Sequence, residues 1–235
     1  MFPKVHDMRF LFTILTACCL FDFAIAQEPP AKKHFRIGVH AWSRMSSFSN
    51  DTRNEEHGMT FSGIPDLGLS VYHPISKKGH VGLTADISLA NYKNTYTSGA
   101  NDYTRTFNYL MITPGVNFEN ATLSVAIGLP MGYHRHNNTK DIEEEETWSY
   151  FQGSSQTPTV TVGDGKNGMN MIIEPRLGYS YPVMNSGGSQ LNVNGHVGLM
   201  LSNVFKDEYY PTSNLQSLNG TMLSISLGVQ YMIGL

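Results

Sequence analysis

Cysteine is nearly absent from this chain. Its two copies, Cys18 and Cys19, sit side by side near the N-terminus. They fall inside a segment that reads as an export signal, so no disulfide is available to hold the rest together. An excess of basic charge is missing too. The net charge is −3, and removing residues 1–26 takes away Lys4, Arg9, Asp7 and Asp22 and leaves it unchanged. Nothing in that balance points to nucleic acid as a partner. Beyond the N-terminal segment no apolar run approaches the ~20 residues of a membrane-spanning helix. A membrane protein with this sequence must cross as a closed barrel. Cofactor motifs are lacking as well. Asp164-Gly165-Lys166-Asn167-Gly168 fails the ligand spacing of a calcium loop and has no terminal Glu, so it reads as a turn, and no cofactor or metal is expected.

What is present begins with the leader. Lys4 and Arg9 precede an apolar run from Phe10 to Phe21, and Ala24-Ile25-Ala26 supplies small residues for cleavage before Gln27. Residues 1–26 are expected to be a signal peptide, 27–34 a short periplasmic arm and 35–235 one barrel domain. A start at Met8 and lipid modification at Cys18, within Leu15-Thr16-Ala17-Cys18, both stay open. The composition, with 22 glycines, 12 tyrosines and 12 phenylalanines, is strand and turn chemistry.

The clearest signal is the run Met222 to Leu235. Leu223, Ile225, Leu227, Val229, Tyr231, Ile233 and Leu235 alternate with Ser224, Ser226, Gly228, Gln230 and Gly234. A period of two gives an extended strand with one oily and one polar face. Seven further segments alternate in the same way, around 35–44, 66–72, 81–89, 106–118, 123–134, 170–181 and 191–201. In the fourth, Pro114 suggests a bulge. Most approach the ~9–11 residues that a tilted strand needs to cross a bilayer. Their connections alternate long and short. Residues 46–58, 93–105, 135–168 and 203–220 are long, whereas 76–79, 119–121 and 185–189 are tight. Barrels with extended outer loops and short periplasmic turns are built this way, with both termini in the periplasm. The expected fold is all-β, a single eight-stranded antiparallel up-and-down transmembrane barrel. Thr159-Val160-Thr161-Val162 leaves a ten-stranded version open.

Two barrels share such a pattern, one with its apolar face toward lipid and one with it toward a soluble cavity. The polar face here is mostly Gly, Ser, Thr, Asn and His, while Lys and Glu crowd into the connections. That suits a narrow lumen better than a solvated exterior. Phe35, Phe118, Tyr133 and Tyr181 near strand ends fit an interfacial girdle. On these features residues 33–235 resemble the small, porin-like outer-membrane barrels of Gram-negative bacteria. Gly63-Ile64-Pro65-Asp66-Leu67-Gly68-Leu69-Ser70-Val71-Tyr72-His73-Pro74 is similar to the second strand of versions common in Bacteroidetes-type bacteria. The chain departs from that pattern in ending on Leu235 where an aromatic is usual. The resemblance implies an outer-membrane location, contact with lipid including lipopolysaccharide, and insertion by the barrel-assembly machinery.

The lumen of such a barrel is just wide enough for side chains to fill. Arg36, Arg44, Asp66, Asp86, Glu174 and Arg176 all fall on the polar face, three cations against three anions. They are expected to pair and lace the lumen shut, although a narrow pore for small solutes or ions is the alternative. Enzymes exist on this fold, so His40, His134, His136 and His196 with Ser124, Ser180 and Ser202 are candidates for an outer-rim site. No local motif joins them, and no enzyme is expected. In the longest loop, Glu143-Glu144-Glu145-Glu146 is followed by Trp148, Tyr150 and Phe151. A self-repelling acidic run beside aromatics is either a solvated tip or a partner contact. The expected role is envelope-structural or surface interaction through the loops.

Overall fold

The computed structural model describes residues 35–50, 56–76, 81–98, 100–143, 147–149, 159–161, 169–186, 188–204 and 220–235. The expected signal peptide and arm, residues 1–34, lie outside them. Eight long strands dominate: β1 (Arg36–Asn50), β2 (Asp66–Pro74), β3 (Val81–Ser98), β4 (Asn101–Phe118), β5 (Ala121–Asn137), β6 (Ile172–Ser186), β7 (Ser189–Leu199) and β8 (Gly220–Gly234). Each is antiparallel to the next, and β8 returns to β1 along their whole length, from Arg36 opposite Gly234 to Asn50 opposite Gly220. The hydrogen-bond ring is closed, and it has eight members. Thr159–Thr161 pairs with Thr147–Ser149 in a separate two-stranded sheet, so it adds nothing to the ring.

The pairing fixes the size of the barrel. Directly paired residues lead from Ile172 through Gly128, Met111, Ser88, Gly68, His40, Gln230 and Asn192 back to β6 at Pro182, ten residues further along. Eight strands with that stagger tilt by about 40° and enclose a backbone radius of about 8 Å. Three of the tight links lie at one end, where Phe35 meets Leu235, and the two-residue link between Ser98 and Asn101 lies at the other. One of the three is the two-residue turn Glu119-Asn120, with Glu119 in the left-handed region at φ 55°. The long connections leave from the opposite, loop end.

The polar set faces in and the apolar set faces out. Outward Val39, Leu67, Leu69, Ile87, Leu89, Leu123, Leu199, Leu227 and Val229 are exposed, whereas inward Arg44, Ser70, Ser88, Asn192 and Ser224 are buried. The apolar positions run from the terminal end up to Leu89 and Leu110 and form a belt about 25 Å tall, the height of a hydrocarbon band. A water-facing surface of this kind is untenable at such size, so the belt faces lipid. Phe35, Phe118, Tyr181 and Tyr231 point outward near the terminal end, as an aromatic girdle does. Just above the belt, Asn91 donates to Asn108 at 2.7 Å on the outer wall.

Several details depart from the sequence reading. The expected loop 46–58 is partly strand: β1 runs on to Asn50, Glu56–His57 pairs with β3, and Thr60–Phe61 just beyond it pairs with β1. Lys93–Arg105 is not a loop: β3 and β4 stay paired from Lys93 opposite Thr106 to Ser98 opposite Asn101. Pro114 makes no bulge. It interrupts β4–β5 pairing between Ile112 and Gly115 without shifting the register, because it merely lacks an N–H. One bulge lies at Met131, where Tyr109 pairs with Pro130 and Asn108 with Gly132. An extra residue inverts the faces beyond it. Tyr133 therefore turns inward onto Phe107, ring centroids 5.1 Å apart, and leaves the girdle, while His134 is exposed.

A ring without edges resists SDS until heated. Unheated protein refolded in detergent is expected to migrate differently from boiled protein on a gel, and identical migration would contradict a closed barrel.

Candidate functional site

The inward charges converge near the top of the belt. Arg44 on β1 donates from Nε and Nη2 to one Asp66 oxygen on β2, at 2.9 and 2.5 Å. The other Asp66 oxygen accepts the Asn91 backbone N–H at 3.0 Å. On β6, Arg176 donates to Glu174 from Nε at 3.1 Å and Nη2 at 2.7 Å. The same carboxylate accepts the hydroxyls of Tyr92 from β3 and Ser224 from β8. Arg44 joins the two pairs, with Nη1 3.7 Å from Glu174 and its guanidinium 4.3 Å over the Tyr92 ring. Side chains from β1, β2, β3, β6 and β8 thus meet in one layer. On β7, Gly198 makes the room: a Cβ there would collide with the Glu174 carboxylate.

Four of the six charges singled out from the sequence are brought together: Arg44, Asp66, Glu174 and Arg176. Arg36 and Asp86 are not. Arg36 is half-buried at the terminal end, in register with Tyr72. Asp86 lies below the layer, 3.9 Å from His40. The layer itself is neutral and sealed from bulk solvent, with Arg44, Asp66 and Glu174 side chains 0 % exposed. Withdrawing such groups from water costs several kcal/mol each, which only close, multiply hydrogen-bonded pairing offsets.

Above the charges lies a second layer. Phe48, Phe107, Tyr109, Met111, Met169, Ile172, Met200, Val204 and Met222 form one buried apolar cluster. Residues 169–171 and 200–204, at the bases of two long connections, complete it. Asn170 donates its N–H to Val204 at 2.7 Å, and Leu201 donates to Ile173 at 2.9 Å. Higher still, Arg105 lies 3.8 Å over Tyr96 and Arg135 lies 4.1 Å over Tyr103. These upper layers escaped the sequence reading, which ended the third alternation at Leu89. The signal was there, since Tyr92, Asn94 and Tyr96 continue the inward parity of Asp86 and Ser88.

The histidine and serine candidates do not assemble a triad. His40 Nδ1 meets Ser70 Oγ at 2.7 Å and Asp86 at 3.9 Å. A general base uses one ring nitrogen toward the nucleophile and the other toward the orienting carboxylate, whereas here both partners crowd one nitrogen. His40 also stacks on Trp42 at 3.7 Å, and His196 meets the edge of that indole at 4.6 Å. His136 lies 3.4 Å from Asp141, away from Ser124, Ser180 and Ser202. Among the described residues no group of three His, Cys, Asp or Glu is placed to hold a metal. Of the acidic–aromatic loop, Glu143 belongs to a short strand, Ile142–Glu143, paired with β5, and Trp148 to Thr147–Ser149. Glu144, Glu145, Glu146, Tyr150 and Phe151 lie outside the described residues.

No family model and no curated protein matches the chain. Among solved structures it is similar to the outer membrane protein OprG from Pseudomonas aeruginosa, at 12 % identity and a TM-score of 0.33, over 87 % of this chain and 98 % of that one. Neisserial surface protein A is similar at 13 % identity and a TM-score of 0.38, over 85 % and 97 %. The outer membrane protein AlkL is similar at 7 % identity and a TM-score of 0.37, over 90 % and 98 %. Likeness at this level carries no weight for function. The barrel rests on its closed hydrogen-bond ring and its apolar exterior.

Losing the shared acceptor should be costly. Glu174→Gln leaves two buried guanidiniums undercompensated and is expected to lower stability by about 3–5 kcal/mol in urea unfolding from lipid vesicles. Arg36→Gln, at a half-buried position outside the layer, is expected to cost less than about 1 kcal/mol.

Proposed function

We propose that this protein is an integral outer-membrane barrel with a closed lumen and no catalytic role. Its work, envelope-structural or in surface interaction, falls to the long connections at the loop end. Both termini then lie in the periplasm, after export through a cleaved signal peptide. The observation that carries the reading is the neutral charge layer of Arg44, Asp66, Glu174 and Arg176, capped by the methionine and aromatic cluster. An ion crossing the lumen must break paired charges and then pass an apolar layer, and each barrier alone opposes conduction. The crowding of Ser70 and Asp86 onto one nitrogen of His40 supports the non-enzymatic part. A lipid-facing belt on a closed barrel supports the location.

One observation favours the pore reading in part. Asp86 is 16 % exposed, so solvent reaches the lower lumen. Conduction would still require both upper layers to open. Purified protein in planar bilayers is expected to give no steady conductance above the bare-membrane baseline. Reproducible unitary steps would replace the closed barrel with the pore.

A further inference from the structure

We propose that Asp86 and the hydroxyls around it form a binding site for a small monovalent cation within the lower lumen. The inward charges do not balance locally there. Arg44 and Arg176 are matched by Asp66 and Glu174, and Arg36 stands at the terminal mouth beside Tyr72. Asp86 keeps the His40 imidazole at 3.9 Å as its ion-pair partner, a group that is neutral unless protonated. A carboxylate at this depth, flanked outside by lipid-facing Ile87, requires compensation.

The neighbours of Asp86 supply oxygen. It pairs in register with Ser70 on β2 and Thr113 on β4, and Thr84 and Ser88 flank it on the inward face of β3. In-register positions bring Cβ atoms to about 5 Å, within reach of a shared ion. Ser70 is engaged by His40 and also hydrogen-bonds Asp86. The other three hydroxyls, Thr84 Oγ1, Ser88 Oγ and Thr113 Oγ1, are buried without a hydrogen-bond partner. Ser88 and Thr113 are only 2 % and 3 % exposed. Hydroxyl oxygens around one carboxylate are hard ligands, suited to s-block cations and not to soft metals. With one carboxylate and no second acid, the charge matches +1 better than +2. Asp86 keeps some accessible surface while Asp66 and Glu174 have none, so the site lies below the sealed charge layer. The site is independent of whether the loops bind anything.

The test uses the full refolded barrel at constant ionic strength, with sodium or potassium chloride replacing N-methylglucamine chloride at pH 8. The readouts are the midpoint temperature of the gel-mobility shift and, for sodium, ²³Na line broadening. The wild type is expected to show a saturable rise in midpoint with Na⁺ or K⁺, and Asp86→Asn to lose it. Thr113→Val, which keeps the carboxylate and the volume, is expected to weaken the apparent affinity several-fold. Should Asp86→Asn fail to fold, Thr113→Val and Ser88→Ala decide through the same curves. A wild-type midpoint indifferent to the choice of cation, or an ion response unchanged in the variants, would overturn the proposal.

Discussion

The Glu174 carboxylate is where the barrel's width, its closure and its charge balance meet. A backbone radius of about 8 Å leaves a lumen that one long side chain reaches across to its axis. Glu174 does so from β6 and takes hydrogen bonds from Arg176 beside it, Tyr92 on β3 and Ser224 on β8, with Arg44 of β1 3.7 Å away. Its size is tolerated because Gly198 is directly beside it on β7. A wider ring would leave these groups apart and hydrated. A narrower one would not admit two guanidiniums. The layer is therefore a consequence of the stagger as much as of the residue types.

Two solvents act on the same strands, and β3 records the change. From Val81 to Leu89 it turns Leu83, Ile87 and Leu89 outward to lipid and Asp86 and Ser88 inward. Above that point the polarity reverses. Asn91, Lys93, Thr95 and Thr97 face out, while Tyr92 and Tyr96 are buried inside with Phe107 of β4. The upper barrel is built like a water-soluble one, with its oil in the middle. The lower is built for a bilayer, with its oil outside. Asn91 bonded to Asn108 on the outer wall, and Tyr92 beside Tyr109 at 5.9 Å within, mark the crossover.

That reversal explains what the sequence could and could not reveal. All eight strands were legible, because lipid on one side and a polar lumen on the other enforce a strict period of two. Where water lies outside, the outer face becomes Thr, Asn and Lys, and Lys93–Arg105 looks like a loop. The bulge at Met131 was hidden for another reason. Leu129, Met131 and Tyr133 alternate cleanly, and the slip exists in the pairing of β5 with β4, not in its composition. The candidate site was half legible. Parity placed all six charges on the inner face, yet parity carries no height. Only the stagger between strands decides that Asp66 meets Arg44 while Asp86, which pairs with Ser70 four residues along β2 from Asp66, does not.

The two seals of the lumen work by different physics, and their order matters. The charge layer closes by attraction: its groups are held because leaving them unpaired in a dry place is costly. The methionine and aromatic layer closes by exclusion, since it offers an ion nothing to coordinate with and water few partners. With the attractive layer nearer the solvated lower lumen, water reaches Asp86 but finds no unsatisfied charge on Glu174 to hydrate. The apolar layer toward the loop end has forgiving packing, because methionine adapts to irregular gaps. A barrel arranged in this way keeps its strongest pairing and its most adaptable packing in separate layers, so a change in the upper one need not disturb the charges that hold the wall together.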